Sequence, residues 1–239
     1  MFKATLLLIT ILISSTNFVQ ALDLQSNFGN VEFPVTANIE AQRNFNHGIA
    51  ALHSFWYPEA LEAFKQSIIV DPNFVMGYWG LAMAYNNPLW EDQDTKAAIK
   101  ALSNIPRSAK LTHREWDYIK AVQVLYGKRN KHLRDKAYSR AMQKIYHEYP
   151  KDLEAACFYS LSLLGLSRNT KDSLRLQIQA GAIALEVFQK KPNHPCAAHY
   201  AIHAFDKPEL ARLGLTSAKR YARIAPASHH AQHMPAHIF

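Results

Sequence analysis

The sequence predicts an all-α fold, a superhelical solenoid of antiparallel helix pairs. Three observations carry this expectation. Glycine is scarce, at 8 of 239 residues, and the frequent alanines and leucines favour helix over strand. Five prolines (Pro72, Pro106, Pro150, Pro192 and Pro226) recur at intervals of 34, 44, 42 and 34 residues, and proline ends helices because it has no N–H for the backbone ladder. Two His-x3-His pairs, His199/His203 and His233/His237, are themselves 34 residues apart, as equivalent places in successive repeats would be.

Along the chain, residues 1–21 have the form of a secretory signal peptide. Lys3 is followed by the apolar run "ATLLLITILI" and then by Val19-Gln20-Ala21, a small-residue cleavage site. The mature protein is predicted to start near Leu22 and to be secreted or periplasmic. The alternative is an uncleaved anchor, for which the run is too short to span about 30 Å of hydrocarbon. Residues 22–36, with Pro34, are an irregular lead-in. Residues 37–239 are the array, about five helix pairs plus a partial sixth. Unit one has Gly48 at a close helix approach and Ala60-x3-Phe64 in the seam, and it closes at Pro72. Unit two has Tyr78-x2-Leu81-Ala82-x2-Tyr85 and closes at Pro106. Units three and four are longer, with the extra length placed in polar loops at 127–132 and 165–172. In unit five Pro195 suits the first position of a helix capped by Asn193 or His194. A sixth unit starts near His229, holds Pro235 inside its helical pattern, and reaches Phe239 before any second helix.

The small-residue, A-x3-F and proline positions resemble the tetratricopeptide repeat (TPR) family, whose repeat is 34 residues long, over about residues 37–239. The stretches "HPCAAHYAIH" and "HMPAHIF" also resemble a signature of secreted, poorly characterised TPR proteins. The resemblance implies a concave groove lined by one face of each first helix, suited to a peptide or protein partner. Equivalent groove positions then read Phe45, Trp79, His113, Cys157, His199, His233, and one turn on Ile49, Met83, Asp117, Leu161, His203, His237. A third position adds Met76, Glu154, Cys196 and His230.

The groove would thus be apolar at its beginning and rich in imidazole at its end. Histidines four apart share a helix face, and helices pack about 8–10 Å apart. His199, His203, His233 and His237 are therefore the predicted ligands of a transition metal, Zn or Cu. Asp206 is a predicted orienting acceptor. Cys157 and Cys196 are weaker candidates, because buried cysteines commonly pack as small hydrophobes; export would also permit a disulfide between them. A hydrogen-bonded histidine cluster without metal is the alternative. Pro235 should break or kink the helix carrying His233 and His237.

The formal net charge is +8. The basic run "GKRNKHLRDKAYSR" (127–140) points to anionic surfaces or solubility rather than nucleic acid. There is no phosphate-cradling glycine loop, His-Glu-x-x-His motif or nucleophile elbow. Two functions follow: an exported TPR-repeat scaffold with a metal-binding subsite, or a metal-dependent enzyme drawing its acid or base from Glu154, Asp117 or Asp206.

Overall fold

The computed structural model describes residues 27–107, 110–168 and 170–239. The predicted signal peptide and its cleavage point lie outside them. The described residues form eleven α-helices, a short 3-10 turn and one two-residue β-ladder. In order the helices are α1 (Ile39–His53), α2 (Tyr57–Val70), α3 (Val75–Ala84), α4 (Thr95–Ser103), α5 (His113–Leu125), α6 (Lys131–Glu148), α7 (Leu153–Ser167), α8 (Ser173–Lys190), α9 (Pro195–Phe205), α10 (Ala211–Ile224) and α11 (His229–His233). The ladder pairs β1 (Asn86–Asn87) antiparallel with β2 (Asp92–Gln93) between α3 and α4. None of the described helices is long and apolar enough to cross a membrane.

Local chemistry accounts for the helix ends. The five spaced prolines each follow an even-numbered helix, α2 through α10. Asn38, Asp94, Asn130, Asp152 and Ser228 each accept a backbone N–H with the side chain at a helix start. Pro195 opens α9 after His194, whose side chain makes no capping bond. The added length of units three and four resides largely in α6 and α8, 18 residues each, rather than in the expected loops.

Phe64 of α2 shows how the pairs interlock. A Cβ on Gly48 of α1 or on Gly80 of α3 would collide with its ring. Only glycine lets two helices close around so large a side chain, and the ring is fully buried.

Consecutive helices pack together except at the α4–α5 step, and the odd-numbered helices also form an inner row in which α1 touches α3, α3 touches α5, and α7 touches α9. Helix α9 returns to touch α1, so the row curls back on itself. Most of the positions expected to line an open groove before the histidine-rich end are consequently core. Phe45, Ile49, Trp79, Met83, Cys157 and Leu161 are all buried. The lead-in fills the remaining space. Phe33 is fully buried, with its ring centroid 5.1 Å from Tyr118 and 6.0 Å from Trp79. The first described residues of the lead-in are also tied down: Asn30 N–H donates to Asn193 O (3.0 Å), and Ala227 N–H donates to Asn27 O (3.0 Å).

Glu115 of α5 anchors this strap. Its carboxylate accepts from Thr36 N–H (2.5 Å) and Thr36 Oγ1 (2.8 Å), and from Thr112 N–H (2.8 Å) and Thr112 Oγ1 (2.7 Å). Burial alone would raise its pKa, but these donors win and hold it below the usual carboxylate value. A lowered folded pKa means stability that is complete above the unfolded value of about 4.5 and lost as pH falls through the folded one. Glu115→Ala is expected to cost roughly 2–4 kcal/mol in urea unfolding at neutral pH. Glu115→Gln should flatten part of the acid limb, and a wild-type acid limb in that variant would contradict the role.

Candidate metal centre

Three histidines converge where α9 meets α11. His199 and His203 lie one turn apart on α9, and His230 reaches them from the first turn of α11. One ring nitrogen from each lies within 4.8 Å of the others. His199 is fully buried, while His203 and His230 are half-buried. The His199 ring stacks on Tyr221 of α10, with centroids 4.9 Å apart, and meets the Phe55 ring edge-on at 4.3 Å.

Proton counting shows what this trio lacks. His199 Nδ1 sits 2.6 Å from the His53 carbonyl oxygen. A carbonyl only accepts, so Nδ1 carries the proton and Nε2 presents a bare lone pair. His230 Nε2 stands 2.9 Å from His199 Nε2 and 3.3 Å from His203 Nε2. A single proton on His230 can be donated along only one of these lines, whereas one cation among the three nitrogens satisfies every lone pair.

The rings are also held neutral. Burial first, then the neighbouring imidazoles, push His199 well below its ordinary value, His203 down to about 3 and His230 to about 4. In the metal-free protein the unfolded chain therefore binds more protons than the folded one between about pH 4 and 6.5. Stability is full above about 6.5 and falls on acidification through that window. The loss is about 1.4 kcal/mol per pH unit for each such imidazole. Melting of chelator-treated protein measures it, and a flat profile from pH 6.5 to 5 would contradict it.

The predicted four-histidine set is thus divided. His233 and His237 form a separate, exposed pair with Nε2 atoms 2.9 Å apart, and His237 Nδ1 meets Asp206 Oδ2 at 2.8 Å. Asp206 therefore orients an imidazole, but that of His237. The cause of the division is Pro235, which ends α11 at His233 and sends the chain into a 3-10 turn, Met234–His237. With Ala231, Met234 and Ile238 buried, the inward imidazole is that of His230. The pairs remain neighbours, since His237 contributes to the depression of both His203 and His230. A cleft of about 420 Å³ opens beside the trio, walled by His203, Asp206, Arg168, Lys207 and Glu91 among others.

Phe55 was not legible as part of the site. It lies between α1 and α2 with a φ of +53°, a left-handed conformation that costs a bulky residue about 1–2 kcal/mol. That backbone aims its ring at all three histidines, 5.5–5.6 Å from His203 and His230.

A second cluster lies deeper. Glu154 Oε1 accepts from His194 Nε2 at 2.8 Å and Oε2 accepts from His53 Nε2 at 2.6 Å. Tyr200 OH donates to His53 Nδ1 at 2.8 Å. Burial would raise the Glu154 pKa, but the two imidazoles hold it down at about 2. This buried group, with Cys157, could hold a metal ion. His194 is expected from the sequence only as a helix cap. His53 meets Glu154 from 101 residues away and His194 from 40, so neither pairing shows as a local motif. Cys157 and Cys196, expected chiefly as packed thiols with ligation or a disulfide as the lesser alternatives, are joined in a buried disulfide that links α7 to α9, with Cα atoms 6.0 Å apart. Asp117, the remaining candidate acid, pairs with Tyr149 OH (3.0 Å) and Lys120 (3.6 Å). Neither a protein-family model, nor a curated protein, nor a solved structure matches this chain.

Proposed function

We propose that this chain is an exported, TPR-like helical scaffold that binds one transition-metal ion, Zn or Cu, through His199, His203 and His230. The observation that carries the reading is the convergence of three neutral imidazole nitrogens with too few protons to bond one another. Imidazole suits both metals, and the His53 carbonyl fixes the tautomer that leaves Nε2 free to ligate. The 34-residue spacing and the glycine–Phe64 seam support the TPR likeness, and the disulfide fits an oxidising compartment. Because the inner face is filled, the scaffold's binding surface is assigned to the clefts. The larger holds about 860 Å³ between the lead-in and the α6–α7 turn.

A metal-dependent enzyme is the second reading. Three protein ligands leave a coordination position free, as in catalytic zinc sites, and His203 borders the 420 Å³ cleft. The test is the metal content of purified protein after zinc loading and desalting, without reductant. One equivalent per chain is expected. No retained metal, or retention unchanged in His203→Ala/His230→Ala, refutes the proposal. Zinc-dependent turnover of an activated ester by the loaded protein, lost in the same variant, selects the enzyme over the scaffold.

A further inference from the structure

The Cys157–Cys196 disulfide sits among ligands it does not use. Cys157 Sγ is 3.8 Å from His194 Nδ1, while the other nitrogen of that ring is held by Glu154. A disulfide sulfur carries no proton, so it offers that nitrogen no donor. One ligand atom from each of His53, Glu154, Cys157 and His194 lies within 4.8 Å of the rest, and all four residues are buried. We propose that the disulfide masks a second metal site, which reduction opens to Zn2+ or Cu(I) held by the Cys157 thiolate and His194 with Glu154 and His53.

The oxidation state of sulfur decides occupancy. A disulfide is a poor ligand, whereas a thiolate is the form that binds metals. Charge argues the same way. A thiolate and the Glu154 carboxylate together carry two negative charges, which match a divalent ion where an uncompensated charge would be costly. Sulfur with imidazole selects Zn or Cu(I). Four buried donors make a closed site, suited to structure or storage rather than to catalysis. His194 also lines the 860 Å³ cleft, which provides a way in.

Reduction by a phosphine balances simply. The disulfide takes two electrons, the phosphine becomes its oxide, and one water supplies the oxygen and the two thiol protons. Zinc then displaces the Cys157 proton into the buffer.

The experiment uses His203→Ala/His230→Ala as background, so that the three-imidazole site is absent and its failure or success cannot be mistaken for this one. Zn2+ is added with or without a phosphine, the protein is desalted, and metal per chain is measured. The oxidised background should retain none and the reduced background one equivalent, with loss on adding His194→Ala. Cys196→Ser, which cannot form the disulfide, should retain one equivalent with no reductant. With Co2+ it should show a thiolate-to-metal charge-transfer band. This arm decides the matter even if the buried disulfide resists the phosphine, and far-ultraviolet dichroism verifies folding. Absence of zinc in folded Cys196→Ser, or retention indifferent to His194→Ala, overturns the proposal.

Discussion

Replacing His203 or His230 with Ala is expected to weaken Zn2+ binding by at least about a hundredfold, or about 2.7 kcal/mol, with little loss of fold. Each supplies one of three converging nitrogens, and both are half-buried, so truncation leaves no sealed cavity. His199→Ala should abolish binding as well, but it is the poorer test. Its ring is fully buried against Tyr221 and Phe55, and a large-to-small change there costs stability through the cavity it leaves. The informative contrast is His233→Ala. Two His-x3-His pairs sharing one ion would make it as damaging as His203→Ala. The structure puts His233 with His237, outside the trio, so its loss should change affinity by less than about tenfold. Titration calorimetry on the four variants reads this directly. Equal damage from His203→Ala and His233→Ala would restore the four-histidine site.

The second large effect is on stability. Glu154→Ala is expected to cost about 3–5 kcal/mol, because it removes the acceptor shared by two buried imidazoles and leaves them unpaired. For a chain of this size that corresponds to a melting point lower by roughly 6–20 °C. Glu154→Gln keeps the volume but turns an N–H donor toward one imidazole N–H, so it should recover only part of the loss. The pH dependence separates charge from packing. With a folded pKa of about 2 against about 4.5 unfolded, ionised Glu154 stabilises fully above about 4.5 and progressively less as pH falls toward 2. Both variants should therefore differ most from wild type at neutral pH and converge with it in acid. A constant offset at all pH values would assign the loss to packing alone.

The elements were legible because their signals are local. Each spaced proline acts at its own backbone nitrogen. The interlock of Gly48 and Phe64 was legible because neighbouring helices in a repeat meet at equivalent positions. For the same reason His199 and His203 stood out as a pair on one helix face. Periodicity, however, compares equivalent positions, and it assumes that every helix runs on. Pro235 ended that assumption for His237, and His230 took the place expected of His233.

The amino-acid sequence by itself determined the helical class, the proline-marked helix ends and the histidine-bearing face of α9. Whether that face opened to solvent was decided by tertiary structure, through the return of α9 to α1, while Phe33 is buried against Phe45, Trp79 and Tyr118. The pairing of His53 with Glu154, the His53 carbonyl with His199, and Phe55 with all three histidines was settled the same way. These partners lie 101 residues or more apart in the chain. The curvature that brings them together is the sum of many small packing angles, which no single repeat encodes.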